Sequence, residues 1–153
     1  MPQVSGSLVE GKPLIYVTVA DALPAPPEVT PNSNPIQLEL HHYRALLDTG
    51  ADITCLCDNV IRERRLRPHG FIRMIGGLGP SLHDTHIVKL GIVCENVSGP
   101  GYDNEPRGLY QLEPVEAAAI RENQWFDIII GTDIISQHEL RLTKGGGFVF
   151  DLG

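Results

Sequence analysis

No stretch of these 153 residues approaches the length of apolar chain that spans a bilayer, so no membrane partner is expected. The opening MPQVSGSLVEGK has no apolar core of the kind a secretory leader carries, and the expected residence is cytoplasmic rather than secreted. Cysteine is scarce. Cys55, Cys57 and Cys94 make an odd number far below the density of a disulfide scaffold, which points to a reducing compartment. The Cys55-x-Cys57 spacing is tighter than a zinc knuckle and no second pair follows, so both are read as half-buried strand residues and no metal is expected. Positive charge is the minority sign, 12 Lys and Arg against 19 Asp and Glu. The net charge of -7 argues against nucleic acid as main partner, because the average surface repels a phosphate backbone. The one basic cluster, Arg62 to Arg67, reads as a solvated helix face. No internal repeat is visible, and the length suits one domain, residues 1–153.

What the chain has instead is short runs of β-branched, aromatic and aliphatic residues divided by turn formers. Leu14 to Ala20 predicts a strand, and the proline-rich segment 21–35 predicts an exposed loop, since proline cannot join a ladder. Ile36, Leu38 and Leu40 alternate with polar residues, and the chain turns at His41-His42 into a strand from Tyr43 to Leu47. Ile53 to Leu56 predicts another short strand, and Asp58 to Arg67 has helical composition. Phe71 to Ile75 and Ser81 to Cys94 flank Gly76 to Pro80, a pattern expected for a hairpin over 71–94 with a glycine-rich tip. A loop of turn formers follows. Gly108 to Val115 and Trp125 to Ile130 predict strands, Asp133 to His138 a helical turn capped by Thr132 or Asp133, and Leu140 to Leu152 a closing hairpin. The expected class is all-β with one short helix.

Chemistry concentrates in ALLDTGADITCL, Ala45 to Leu56. Leu46 and Leu47 bring the backbone out of a buried strand, Asp48 presents a carboxylate at its end, and Gly50 removes the side chain that would bar another backbone. A single carboxylate is a poor peptidase, because hydrolysis needs a base to activate water and an acid to protonate the carbonyl oxygen or leaving amine. The chain has one such motif. Two copies meeting on a two-fold axis would bring two like carboxylates together; these cannot both ionise, so acid and base arise as a pair.

Three blocks in order, Leu46-Leu47-Asp48-Thr49-Gly50-Ala51-Asp52, Arg73-Met74-Ile75-Gly76-Gly77-Leu78-Gly79 and Ile129-Ile130-Gly131-Thr132-Asp133-Ile134-Ile135, resemble the retropepsins, homodimeric aspartic proteases of retroviruses and related elements. Pro2-Gln3-Val4 is similar to the start of some mature retroviral proteases. The resemblance implies a closed acid-protease barrel working as a homodimer on a polypeptide substrate, without cofactor, in the cytoplasm or within a virion. It implies Asp48 as the catalytic residue and Thr49 as the hydroxyl that ties two active-site loops across the dimer. Gly50, Ala51 and Asp52 correspond to the cleft floor that hydrogen-bonds an extended peptide, Met74 to Gly79 to the flap, and Ile75 and Leu78 to its apolar tip around Gly76 and Gly77. Ile130 and Gly131 correspond to the turn that supports the active-site loop. The retroviral enzymes usually carry an arginine after that glycine, paired with the acid at the position of Asp52. Here that place is Thr132, so the ion pair is absent or is made from elsewhere, as by Arg62. The chain also exceeds the compact viral enzymes in the proline-rich loop and in the segment 95–124.

The competing readings are plainer. The glycines from Gly76 lack the Lys-Ser/Thr of a phosphate loop, and their flanks read as strands. His83 and His86 fall on opposite faces of a hairpin arm expected to be solvated, and Trp125 and Phe126 are expected in the core. A non-catalytic homodimer gripping extended peptides is the alternative class. A metal-dependent hydrolase using Asp48, Asp52 and Asp58 is the weakest and predicts chelator sensitivity.

Overall fold

A computed structural model describes residues 2–23, 41–76, 78–95 and 107–153. The expected proline-rich loop beyond residue 23, the expected strand Ile36–Leu40, Gly77 and the expected loop over 96–106 lie outside the described residues. The chain builds β1 (Gln3–Ser7), β2 (Leu14–Asp21), β3 (Tyr43–Leu47), β4 (Cys55–Cys57), helix α1 (Asp58–Arg64), β5 (Gly70–Gly76) and β6 (Gly79–Glu95). It continues with β7 (Arg107–Gln111), β8 (Val115–Ile120), β9 (Ile128–Ile130), a single helical turn α2 (Thr132–Ile135), β10 (Glu139–Thr143) and β11 (Gly147–Asp151). Mostly β structure with little helix was expected, and the β-branched residues that predict the strand Leu14–Ala20 are the ones that pack. Ile15, Val17 and Val19 of β2 are buried while Tyr16 is 55% exposed. Val88, Leu90, Ile92 and Cys94 of β6 face the same core, with Leu56, Ile128, Ile130 and Phe150.

β6 organises the sheet. Val88 pairs with Asp21 of β2 on one side and Val115 of β8 on the other. Because β2–β3, β3–β9, β9–β4 and β4–β8 also pair, the strands β6-β2-β3-β9-β4-β8 close a ring. The other end of β6 runs out past Thr85 to pair with β5 from Gly70↔Thr85 to Gly76↔Gly79. The β5–β6 hairpin is therefore a continuous extension of a core strand. β11 lies between β10 and β1 in the same chain, with Phe150 opposite both Leu140 and Val4.

Several expectations are corrected. β8 arises from the segment 95–124 read as extra length, and Ala117 and Ala118 are small enough to pack with no exposure where it crosses β6. β1 was not expected, because Gly6 and the serines of QVSGS mask a strand signal that β11 supplies by pairing. The expected strand Trp125–Ile130 begins only at Ile128: Asn123 Oδ1 accepts the backbone N–H groups of Trp125 and Phe126 at 2.8 and 3.0 Å and turns the chain outward. Trp125 is thus 51% exposed rather than core, with the Lys12 ammonium 5.7 Å above its ring. His86, expected on a solvated arm, is buried at 4%, and its Nδ1 lies 2.8 Å from the Arg67 carbonyl. The basic run does not form one solvated face either, for α1 ends at Arg64 and Arg67 turns inward to Asp21 at 3.0 Å.

Cys55, Cys57 and Cys94 are free and fully buried, not half-buried. Burial pushes each thiol up to about 11, helped at Cys55 by the Asp133 carboxylate and at Cys57 by Asp127. At pH 8 the thiolate fraction is then about one in a thousand. Titration of the native protein with a thiol-specific disulfide reagent is expected to leave all three unreacted over minutes, with three equivalents appearing in denaturant. Rapid reaction of one thiol in the native state would contradict this burial.

Candidate active site

β3 and β9 run parallel, Leu47 beside Ile130, so both strands deliver their C-terminal ends to one place. Asp48 leaves β3 there, its backbone N–H donating to the Ile130 carbonyl at 2.9 Å. Ala45 and Leu47 are buried, and the alternation turns Asp48 away from the core, half-buried. The loop then folds on itself. Ala51 N–H donates to the Asp48 carbonyl at 3.2 Å, and Gly50 N–H donates to Asp48 Oδ1 at 2.9 Å. A Cβ at Gly50 would stand 3.2 Å from that oxygen, so glycine permits the close approach. Oδ2 has no partner among the described residues, and the exposed Thr49 hydroxyl has none either.

Gly131 follows β9 and threads against the same loop. A Cβ there would lie 2.8 Å from the backbone oxygens of Ala51 and Ile53, contacts that no side chain can relieve. Thr132 N–H donates to the Ala51 carbonyl at 2.8 Å. The expected cap by Thr132 or Asp133 is not made: Gly131 is the N-cap of α2, without a side-chain bond. Asp133 Oδ1 accepts the N–H of the adjacent Ile134 at 3.0 Å, and the same carboxylate accepts Thr54 Oγ1 at 2.8 Å and Thr54 N–H at 2.9 Å, while Thr54 Oγ1 in turn accepts Gly131 N–H at 3.2 Å. This Thr54–Asp133 clamp was missed in the sequence. Its only signal was a hydroxyl residue between Ile53 and Cys55, where the chain is otherwise apolar. Thr54 is fully buried, so Thr54→Val leaves Gly131 N–H and one carboxylate oxygen without that partner. Urea unfolding is expected to show a loss of about 2–3 kcal/mol, largely restored by Thr54→Ser.

The β5–β6 hairpin overhangs this loop, and a cleft of about 480 Å³ lies between segments 50–53 and 72–75. It has the alternation of an apolar groove with two charges, Asp52 below and Arg73 above. At the tip Ile75 is 85% exposed and Leu78 fully so. Gly79, at φ +99°, supplies the left-handed residue that closes the turn. Gly76 pairs with Gly79 at the last rung. Arg62 pairs with Glu122 at 3.0 Å rather than with Asp52. Asp52 has no ion pair among the described residues. The structure thus gathers Asp48, Thr49, Gly50, Ala51, Asp52, Ile130 and Gly131 at one end of the ring, with Ile75, Gly76 and Leu78 on the overhanging hairpin. A larger depression of about 580 Å³, between Val19, Lys89 and Leu112, involves none of these residues. No group of three or more His, Cys, Asp and Glu converges as a metal-ligand set among the described residues, and none of the helices is long and apolar enough to cross a membrane.

No protein family matches the chain by sequence, and no curated protein is significantly similar to it. Among solved structures it is similar to a retropepsin-like aspartic protease from Rickettsia conorii, with a TM-score of 0.55 over 97% of this chain and 89% of that one. Sequence identity is 9%, so the likeness is one of fold.

Proposed function

We propose that this chain is one half of a homodimeric aspartic endopeptidase, in which Asp48 of two copies activates a single water against a peptide bond. The observation that carries the proposal is the parallel pairing of β3 with β9, which sets Asp48 at the start of the loop whose next residues, Gly50 to Ile53, floor a cleft overhung by a hairpin, with no other acid or base bonded to its carboxylate among the described residues. One carboxylate cannot be base and acid at the same moment, and among the described residues no second carboxylate is bonded to Asp48. A two-fold axis beside Thr49 supplies it, and gives the unpaired Thr49 hydroxyl a partner. The ring of strands then serves as a barrel holding two half-sites.

In such a dimer one carboxylate takes a proton from the water while the other, protonated, hydrogen-bonds the peptide carbonyl; the water oxygen adds to the carbonyl carbon. The proton then passes to the leaving amine as the C–N bond breaks, without a covalent enzyme intermediate. The peptide lies as an added strand between segments 50–53 and the hairpin, held by main-chain hydrogen bonds. The exposed Ile75 and Leu78 gain apolar contact when the hairpin closes and expels water. No cofactor is required, and the setting proposed is cytoplasmic or within a virion.

A peptide-cleavage assay at several acidities, with chelator, with a statine-type inhibitor and with parallel sedimentation, tests this. Cleavage that is blocked by the inhibitor, indifferent to chelator and proportional to dimer is expected. Peptide binding without cleavage would favour the non-catalytic module. Because the pair must keep one proton, activity is expected to be higher in acid to mildly acid conditions than in alkali.

Acid works against the fold. His138 packs edge-on to Tyr110 and Phe150, and burial holds its imidazole below the ordinary 6.5, the Asp151 carboxylate opposing only in part. Its folded value lies below the unfolded one, so its stabilisation is present above the ordinary value and is lost as pH falls through the lowered one. Burial alone would raise Asp21, but Leu23 N–H and the Arg67 side chain and N–H outweigh it, and its carboxyl lies below the ordinary 3.8. The same sign places its loss at still lower pH. The urea midpoint is therefore expected to fall between pH 7.5 and 5.5, with a flatter slope in His138→Gln, and again below pH 4.

A further inference from the structure

The cleft beneath the hairpin holds a carboxylate that the other described residues leave without an ion pair. That carboxylate is Asp52, exposed on the floor. Arg73 lines the same cleft from above, yet forms no ion pair with Asp52. The remaining wall near Asp52 is apolar, from Ile53 and Ile75. A charge set in a concave, partly apolar wall keeps more of its field than one on an open surface. The side chain that fits has an alkyl stem to lie on Ile53 and Ile75 and a cationic head to meet the carboxylate, which describes lysine or arginine.

We propose, building on the endopeptidase reading, that Asp52 selects polypeptide substrates carrying a basic side chain at the position that enters this pocket. Two-fold symmetry repeats the pocket, so the preference recurs once on each side of the scissile bond. The net charge of -7 attracts any cationic peptide, but it favours lysine at every position alike. A pocket favours it at one position per half-site.

The test uses capped synthetic octapeptides in which each position in turn is lysine, norleucine or glutamate. Their binding is measured by fluorescence anisotropy to Asp48→Asn protein, so that neither cleavage nor the Asp48 charge enters the reading. Lysine is expected to bind about fivefold more tightly than norleucine at one position in each half, an advantage that shrinks as salt rises. That ratio is expected to fall to about one when Asp52→Asn is added, and to turn in favour of glutamate with Asp52→Lys. A preference that survives Asp52→Asn overturns the proposal. So does one that emerges only after Arg73→Ala, which would mean that Asp52 and Arg73 pair when the hairpin closes. Wild-type cleavage of the same peptides separates the two readings: cleavage without any lysine preference sinks the pocket alone. An Asp52-dependent preference without cleavage upholds the pocket and sinks the endopeptidase.

Discussion

Asp48→Asn is expected to reduce the proposed peptide hydrolysis by roughly 10⁴-fold, about 5 kcal/mol of barrier, while leaving the fold and the proposed dimer intact. The fold should survive because the bond that shapes the loop is retained: Gly50 N–H donates to Asp48 Oδ1 at 2.9 Å, and an asparagine oxygen in the same place accepts it equally well. The chemistry should not survive, because an amide neither takes a proton from water nor shares one with a second carboxylate. In a homodimer the substitution removes both members of the pair at once. A mixing experiment gives the sharper reading. If wild-type and Asp48→Asn chains are denatured together in equal amounts and refolded, random pairing leaves about one quarter of the dimers with two carboxylates, and activity should fall to about that fraction. A mixture retaining half its activity would mean that each chain works alone, and the shared-site mechanism would fail. Circular dichroism and sedimentation on the variant guard against loss through misfolding.

Gly131→Ala is expected to be the most damaging single change to the fold, at about 3 kcal/mol or more by urea unfolding, with activity lost as well. A methyl group there would meet the Ala51 carbonyl and the Ile53 backbone at 2.8 Å. Those atoms belong to the segment that carries Asp48 and Asp52, and the fully buried Thr54 beyond them is clamped by Asp133. The crowding therefore has no cheap outlet: either β9 moves, and breaks its register with Leu47, or the Asp48 loop moves. Gly50→Ala is the useful contrast. Its added methyl would stand 3.2 Å from a carboxylate oxygen, the end of a side chain that can turn. That variant should fold with a smaller loss and yet hydrolyse poorly, since the carboxylate that must turn is Asp48. Equal stability of the wild type and Gly131→Ala would mean that the close threading of β9 past the loop is not present in solution.

Much of the local structure was legible because its causes are local. The β-branched and aromatic residues of LIYVTVA favour an extended chain by themselves, and the turn formers around Gly76 and Gly145 announce hairpins whichever sheet they join. The Asp48-Thr49-Gly50, hairpin-tip and Ile130-Gly131 blocks were likewise visible as blocks. What lay beyond reach were relations between distant segments. Thr54 and Asp133 are 79 residues apart, and nothing in either neighbourhood announces the other. β8 read as part of extra length because alanines say little about strand formation until β4 and β6 flank them. Arg62 was a reasonable partner for Asp52 by composition, but α1 directs it to Glu122.

From the sequence alone came the predominance of β structure, the hairpin and the presence of one acid at a strand end, since side-chain periodicity and turn chemistry act over a few residues. The tertiary structure alone decided that β3 and β9 run side by side, that Asp52 lies on the floor of a cleft with no ion pair among the described residues, and that β1, β10 and β11 pair within one chain. Those outcomes depend on which strands meet. Burial of the shared core selects the meeting, because hydrogen bonds in a ladder satisfy any extended partner, whereas this arrangement of strands takes Leu47, Leu56, Leu90, Ile128 and Ile130 out of water together.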